Sequence, residues 1–406
     1  MTEMRVAVEP VAGGITAPRG FRAAGVACGL KPAGLDLALL ACDEPASAAG
    51  IFTTNRAVAA PVLVSRAQLA QSGGRARAIV INSKCANACT GEAGLSAARE
   101  MVTATAEAVG CDPRLVLVAS TGVIGMRLDV PKVARGIAEA AGRLAPGGHE
   151  AAAEAIMTTD RAPKERAVRV ATPAGTFSIG GMVKGAGMIE PLMATMLGFL
   201  TTDATVDPAV LRRALVDAAD DTFNAITVDG ESSTNDSVFL LAGGASGVAI
   251  DGALYPVFVG ALRGLCADLA KDIVRGGEGA TRLVEVRVAG AQSASDARRA
   301  ARLIANSLLV KTALHGGDPN WGRVVAVAGR AGVAFDEARA RVRIGPAELF
   351  ADATVFDERE ADAAAHLQGP EVEVAVDLGT GGSGAATVWT CDLSAEYVRI
   401  NADYRT

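Results

Sequence analysis

The stretch KGAGMIEPLMATMLGFLTTDA, Lys184 to Ala204, surrounds an Ala194-Thr195 pair with glycines, a proline and methionines, and it follows neither helical nor strand periodicity. A threonine hydroxyl is a weak nucleophile within a chain. It becomes a competent one as the first residue of a chain, because its own α-amino group then serves as the base. The free α-amine titrates at about 7.7–8.0, which suits proton transfer near neutrality. To reach that state, Thr195 Oγ1 would attack the Ala194 carbonyl, convert the amide to an ester, and let water release a new N-terminus. A small residue before the nucleophile and a constrained backbone favour this step, and Gly185, Gly187, Pro191 and Ala194 meet those needs. On these residues alone, an ordinary buried connector between a hairpin and a strand is the commoner outcome.

Other chemistry has less to draw on. The chain holds three histidines, His149, His315 and His366. Their settings suggest surface positions for His149 and His366, and only His315 adjoins a suggestive motif, GGDPNWGR, so a Ser/His/Asp triad has little support. That motif reads structurally as a Pro-Asn turn with Trp321 packed beneath and Arg323 paired. Cys85 and Cys89 in NSKCANACTG could share a helical face, but no histidine or second pair accompanies them, so no metal site is expected. Gly379, Gly381 and Gly384 match a dinucleotide fingerprint. A strand-like run, AATVWTCD, follows them where that fingerprint needs a helix, so GTGGSG reads as a hairpin loop and no nucleotide cofactor is expected.

The elements that must position these residues read as α/β. AIVINS (78–83) and LVLVAS (115–120) are strand-like, while 94–110 and 130–144 have the spacing of amphipathic helices. VRVATPAGTFSIGG (168–181) is a hairpin pattern that leads into the Lys184 segment. Beyond Thr195, helices are expected over 207–223, 255–277 and 295–314, and strands over 282–290 and 371–379. This is a layered arrangement of mixed sheets with flanking helices. No linker divides it, so two lobes would share an extensive interface.

With 406 residues there is room for sizeable cores. The 39 Lys+Arg against 45 Asp+Glu, net −6, include no basic block interleaved with aromatics, which excludes nucleic acid as the expected partner. The longest uncharged runs, Ser237 to Ile250 and Leu378 to Cys391, fall short of the ~18 apolar residues a membrane span needs. MTEMRVAVEP lacks the order of a secretory signal, so a cytoplasmic location is the expectation. Seven cysteines without paired spacing read as reduced, mostly buried thiols.

Taken in order, six blocks resemble one family: FTTNRAVAAPV (52–62), ASTGVIG (119–125), the Lys184 segment, ITVDGESSTNDS (226–237), KTALHGGDPNWGR (311–323) and CDLSAEYVRINADYRT (391–406). That family is the ornithine acetyltransferases of arginine biosynthesis, also called glutamate N-acetyltransferases, and the blocks run through nearly the whole chain. The resemblance implies the layered, two-lobed fold of that self-cleaving type, cut into an alpha chain, 1–194, with the oxyanion hole, and a beta chain, 195–406, with the nucleophile and a substrate-binding tail. It implies Thr195 as nucleophile, cleavage between Ala194 and Thr195, and Thr121 and Gly122 as oxyanion donors. Thr158, Lys184, Thr195, Glu278, Asn401 and Thr406 fall at its substrate-binding positions. An amino-acid substrate carries a carboxylate that Lys184 suits and an ammonium that Glu278 suits. N-acetylornithine and glutamate would be the substrates in a ping-pong cycle, with no cofactor and with acetyl-CoA open as a further substrate. Two alpha and two beta chains would form a heterotetramer.

The chain departs from the family at Lys84-Cys85, where Gly-Asn is usual, and at Glu231-Ser232, where Asp-Thr is usual. A related self-cleaving aminopeptidase and a silent amino-acid-binding homologue stay open as alternatives.

Overall fold

The alternating runs fold as half-buried strands and the alanine-rich runs pack on them as helices, because each needs the other to cover its apolar face. The computed structural model describes residues 6–190 and 196–403. Its strands are β1 (Ala7–Pro10), β2 (Phe21–Val26), β3 (Leu37–Phe52), β4 (Arg75–Asn82), β5 (Val116–Ser120), β6 (Lys164–Thr172), β7 (Gly175–Lys184), β8 (Leu197–Thr202), β9 (Ser237–Ala242), β10 (Leu283–Ala291), β11 (Arg341–Ile344), β12 (Ala347–Ala351), β13 (Thr354–Val355), β14 (Glu371–Asp377) and β15 (Gly384–Cys391). The helices are α1 (Ala60–Gln71), α2 (Gly91–Val109), α3 (Val130–Gly142), α4 (His149–Ala155), α5 (Pro208–Asp220), α6 (Tyr255–Arg275), α7 (Ala294–Ala305), α8 (Leu308–Gly316), α9 (Trp321–Gly329), α10 (Glu360–His366) and α11 (Ala395–Asp403).

The first sheet runs β1-β6-β7-β8-β9-β3-β4-β5, with β2 also on β3, and the second runs β13-β12-β11-β14-β10-β15. Both are mixed: β4–β5, β8–β9 and β10–β14 are parallel pairs. Strands β7 and β8, which precede and follow the expected 194/195 boundary along the chain, are neighbours in the first sheet.

Helices α5 and α6 cover one face of the first sheet, where Phe177 and Phe258 meet with ring centroids 6.0 Å apart. Burying each such ring contributes roughly 2–3 kcal/mol. The same core continues past Ile226 to Leu283, Trp389 and Cys391 in the second sheet. Among the described residues no helix is long and apolar enough to cross a membrane.

Several local expectations change. The helix over 295–314 is two helices: Ser307 caps α8 by accepting from Val310 N, and Asn306 at the break accepts a hydrogen bond from Thr227 Oγ1 at 2.7 Å. GTGGSG is not a hairpin loop, because β10 lies between β14 and β15 and the segment crosses its end. A Cβ at Gly382 would lie 2.0 Å from Ala291 O, so this crossing excludes any side chain there. Cys85 and Cys89 lie ahead of α2 in non-helical backbone, with Lys84, Asn87 and Cys89 at positive φ. His149 and His366 are half-buried: His149 Nδ1 lies 2.8 Å from Glu165 Oε1, and His366 Nε2 accepts from Glu373 N at 3.0 Å. Trp321 stacks on Phe350 at 4.9 Å, and Arg323 donates to Leu309 O.

Candidate active site

The parallel pair β4–β5 ends in a turn that carries Thr121 and Gly122, the kind of strand terminus where α/β sheets bind ligands. Thr121 N donates to Asn82 O at 3.0 Å and Val123 N donates to Lys84 O at 2.9 Å. Asn235 locks the turn from outside, donating through Nδ2 to Ser120 O at 2.9 Å and to Ala86 O at 2.6 Å. Gly122 has φ 128°, and a Cβ there would lie 2.1 Å from Lys84 C, so only glycine fits. The Gly122 N–H makes no hydrogen bond among the described residues, which leaves it free to donate into the site.

Lys184 closes β7 and points at this turn. Its buried Nζ donates to Thr158 Oγ1 at 2.8 Å and to Thr121 Oγ1 at 3.2 Å. With a lone pair so occupied, the Thr121 hydroxyl can direct its own proton to an oxyanion. Burial pushes the Lys184 ammonium below its usual value, while the Asp160 carboxylate works the other way. Asp160 is fully enclosed: Oδ1 accepts from Lys164 Nζ at 2.5 Å and from Gly185 N at 2.8 Å, and Oδ2 accepts from Thr158 N at 3.0 Å. Burial alone would raise its pKa, but Lys184, Lys164 and these donors outweigh it and hold the carboxyl at about 2. Two ammonium groups and one carboxylate leave this buried cluster net positive, which suits an anionic substrate group.

On another wall, α6 ends at Gly276 and the chain delivers Glu278, whose N donates to Ala186 O at 2.8 Å. Asn401 on α11 donates through Nδ2 to Glu278 Oε2 at 2.7 Å. Gly187 permits the approach, since a Cβ there would meet Glu278 Oε2 at 2.5 Å. The neighbouring Met188 takes a left-handed φ of 55°, and Asp229 holds that loop by accepting from Met188 N at 2.7 Å and Ile189 N at 2.9 Å. Tyr397 donates to the same carboxylate at 3.2 Å, tying α11 to the loop.

Thr121, Gly122, Thr158, Lys184, Glu278 and Asn401 all line one cavity of about 870 Å³, mouth included. Ala194, Thr195 and Thr406 lie outside the described residues, but Met196, which follows Thr195 in the chain, lines this cavity too. Lys84 and Cys85 are not among its lining residues; their main chain backs the Thr121 turn instead. His315 is also absent from the lining and lies 2.7 Å from Asp392 Oδ2.

Sequence reasoning missed Asp160, Asp229, Asn235, Asp236 and Tyr397. Four of these lie in the blocks ITVDGESSTNDS and CDLSAEYVRINADYRT, and Asp160 stands two residues after Thr158. The blocks were therefore the available signal, while nothing in local spacing singles out these members.

A model of the ArgJ family matches residues 22–406. The arginine biosynthesis bifunctional protein ArgJ of Symbiobacterium thermophilum is 50% identical over 407 aligned residues, covering 98% of this chain and 100% of that protein. Its counterpart in Dehalococcoides mccartyi is 51% identical over 402, covering 97% and 98%. A crystal structure of an ornithine acetyltransferase complexed with ornithine, from Mycobacterium tuberculosis, is 41% identical, covering 46% of this chain and 100% of that one, with a TM-score of 0.43. A family match over almost the whole length, with about half of the aligned residues identical in full-length relatives, leaves one conclusion: the chain belongs to the ArgJ family.

Proposed function

We propose that the chain transfers an acetyl group from N-acetylornithine to glutamate, through an acetyl ester on Thr195 formed after self-cleavage between Ala194 and Thr195. The observation that carries this reading is the convergence of Thr121-Gly122, Lys184, Glu278 and Asn401 on one cavity lined by Met196, the residue next to Thr195. Membership of a family whose relatives are named for arginine biosynthesis supports the pathway.

In the cycle, Thr195 Oγ1 attacks the acetyl carbonyl and its α-amine takes the hydroxyl proton. The Thr121 hydroxyl and Gly122 N–H donate to the developing oxyanion, at about 3 kcal/mol per donor. The C–N bond breaks and ornithine leaves as the amine, protonated by the α-ammonium. The free amine of glutamate then attacks the ester, the C–O bond breaks, and the Thr195 hydroxyl is restored. Lys184 attracts the substrate carboxylate and Glu278 its ammonium. The acetyl group is recycled, so this cycle requires no cofactor or metal. The relatives' description as bifunctional favours a second donor, acetyl-CoA, for the same acetylation of glutamate. The two cleavage products assemble as a heterotetramer in this reading.

The deciding experiment is the denatured mass of purified protein beside a Thr195→Ala variant, followed by acetyl exchange between N-acetylornithine and glutamate. Two fragments meeting at 194/195 in the unmodified protein only, with exchange, support the reading. An intact chain without exchange sinks it, and release of p-nitroaniline from aminoacyl anilides would point to an aminopeptidase.

A further inference from the structure

Asp236 is a buried acid in the cavity that the cycle above does not use. It immediately precedes β9, is 2% exposed and lines the same cavity as Lys184. Its main chain is already fixed: Asp236 O accepts from Thr53 N at 2.9 Å, and the next residue, Ser237, donates through N to Met196 O at 3.0 Å. Ser233 lies close to the carboxyl and, with the charge of Lys184, favours its ionised form. Oδ2 is nevertheless buried with no hydrogen-bond partner among the described residues. A buried polar atom left unpaired keeps its desolvation cost without a compensating bond, so its persistence in a cavity calls for an occupant.

The surrounding groups narrow that occupant. Lys184 is engaged by Thr121 and Thr158, Glu278 by Asn401, and Asp229 by Met188, Ile189 and Tyr397. Glu231 is exposed at the rim. No cation is hydrogen-bonded to Asp236, and burial pushes its carboxyl well above the ordinary carboxylate range despite Ser233 and the charge of Lys184. A neutral acid of this kind ionises when a base or a cation comes into contact with it.

We propose that Asp236 is the proton-exchanging partner of a primary amine that occupies this cavity. A free amine takes the Asp236 proton: the O–H bond breaks, an N–H bond forms, and a carboxylate–ammonium pair results. The reverse transfer returns the amine to its nucleophilic form. An amine that arrives already protonated forms the same pair by expelling the Asp236 proton to solvent. Two amines qualify, that of an amino-acid substrate and the chain's own α-amine at Thr195. The second rests on the acyl-transfer reading, whereas the first does not.

Calorimetric titration with ornithine at pH 7, in two buffers of different ionisation enthalpy, counts the proton released. With the substrate amine as partner, the unmodified protein releases about one proton per site and Asp236→Asn releases none. With the chain's own amine as partner, ornithine binding releases no proton, and Asp236→Asn lowers the acidic limb of the acetyl-transfer pH profile by about one unit, because the ammonium has lost its carboxylate. Asp236→Glu, which keeps the acid, restores the unmodified behaviour in either case and stands in for a misfolded Asp236→Asn. Absence of proton release together with an unmoved pH profile overturns the proposal. Failure of self-cleavage and acetyl exchange would remove the acyl-transfer reading alone, since the ornithine titration remains readable.

Discussion

Lys184 Nζ donates to Thr121 Oγ1 at 3.2 Å across 63 residues of sequence, so a buried ammonium polarises the very hydroxyl expected to face an oxyanion. Lys184 closes β7 and Thr121 follows β5, strands far apart in the first sheet, and the contact links the proposed substrate-binding cation to the proposed transition-state donor.

Removing either end should disable the same device. Lys184→Met keeps length and discards the charge, and Thr121→Val keeps shape and discards the hydroxyl. Each is expected to lower the acetyl-transfer rate by about 100-fold. Because they act as a unit, the double variant should lose little more than either single one. Initial rates for the four proteins test this, and fully multiplicative losses would show that the contact is incidental.

Asp160 makes Lys184 tolerable in the interior. Asp160→Asn leaves the Lys164 and Lys184 ammonium groups buried without their carboxylate, and the expected loss in urea unfolding is about 3–5 kcal/mol. The Lys184 ammonium should also deprotonate more readily, drawing the basic limb of the activity profile to lower pH, since Asp160 is what raises it against burial.

The same carboxylate predicts acid sensitivity. Asp160 sits at about 2 in the fold against 3.8 ordinarily. Between those values the unfolded chain binds the extra proton, so stability rises with pH there. The contribution, about 2 kcal/mol, is complete above pH ~4 and lost as pH falls toward ~2. Asp36 adds in the same direction: burial opposes its ionisation, but main-chain N–H groups from Cys28 to Lys31 hold it below the usual range. Unfolding free energies between pH 5 and pH 2 should decline over this window, less so in Asp160→Asn.

Two glycines of the cavity should respond differently to alanine. At Gly122 both the φ of 128° and the contact with Lys84 main chain forbid a Cβ, so Gly122→Ala should abolish transfer and destabilise the turn. At Gly187 the obstacle is the far end of the Glu278 side chain, which can swing away from Asn401. Gly187→Ala should therefore raise KM roughly 10-fold, the loss of one charged hydrogen bond, while the melting temperature hardly moves.

Lys84 carries a left-handed φ of 77°. Lys84→Gly should relieve about 1 kcal/mol of strain, partly offset by the larger unfolded-state freedom of glycine. Chemical denaturation should register a gain of a few tenths of a kcal/mol; a loss would mean that the Lys84 side chain contributes packing which its φ conceals.

Sequence alone determined the elements whose signals are local. The strand runs that became β4, β5, β10 and β14 and the hairpin around Pro173-Ala174 all follow from periodicity and turn chemistry within a few residues. Motif blocks also carried Thr121, Gly122, Lys184 and Asn401, and the family resemblance added Thr158 and Glu278; the fold gathers all six at one cavity. Only tertiary structure decided which polar residues are buried there. Asp160 and Asp236 lie outside the strands and helices, where a charged side chain is ordinarily solvated, and their burial depends on strands distant in sequence closing over them. The break between α7 and α8 and the crossing of GTGGSG over β10 have the same origin. Hydrophobic periodicity records which face of an element is covered; a buried carboxylate depends on the ammonium or amide that packing brings to it, and that partner has no fixed spacing along the chain.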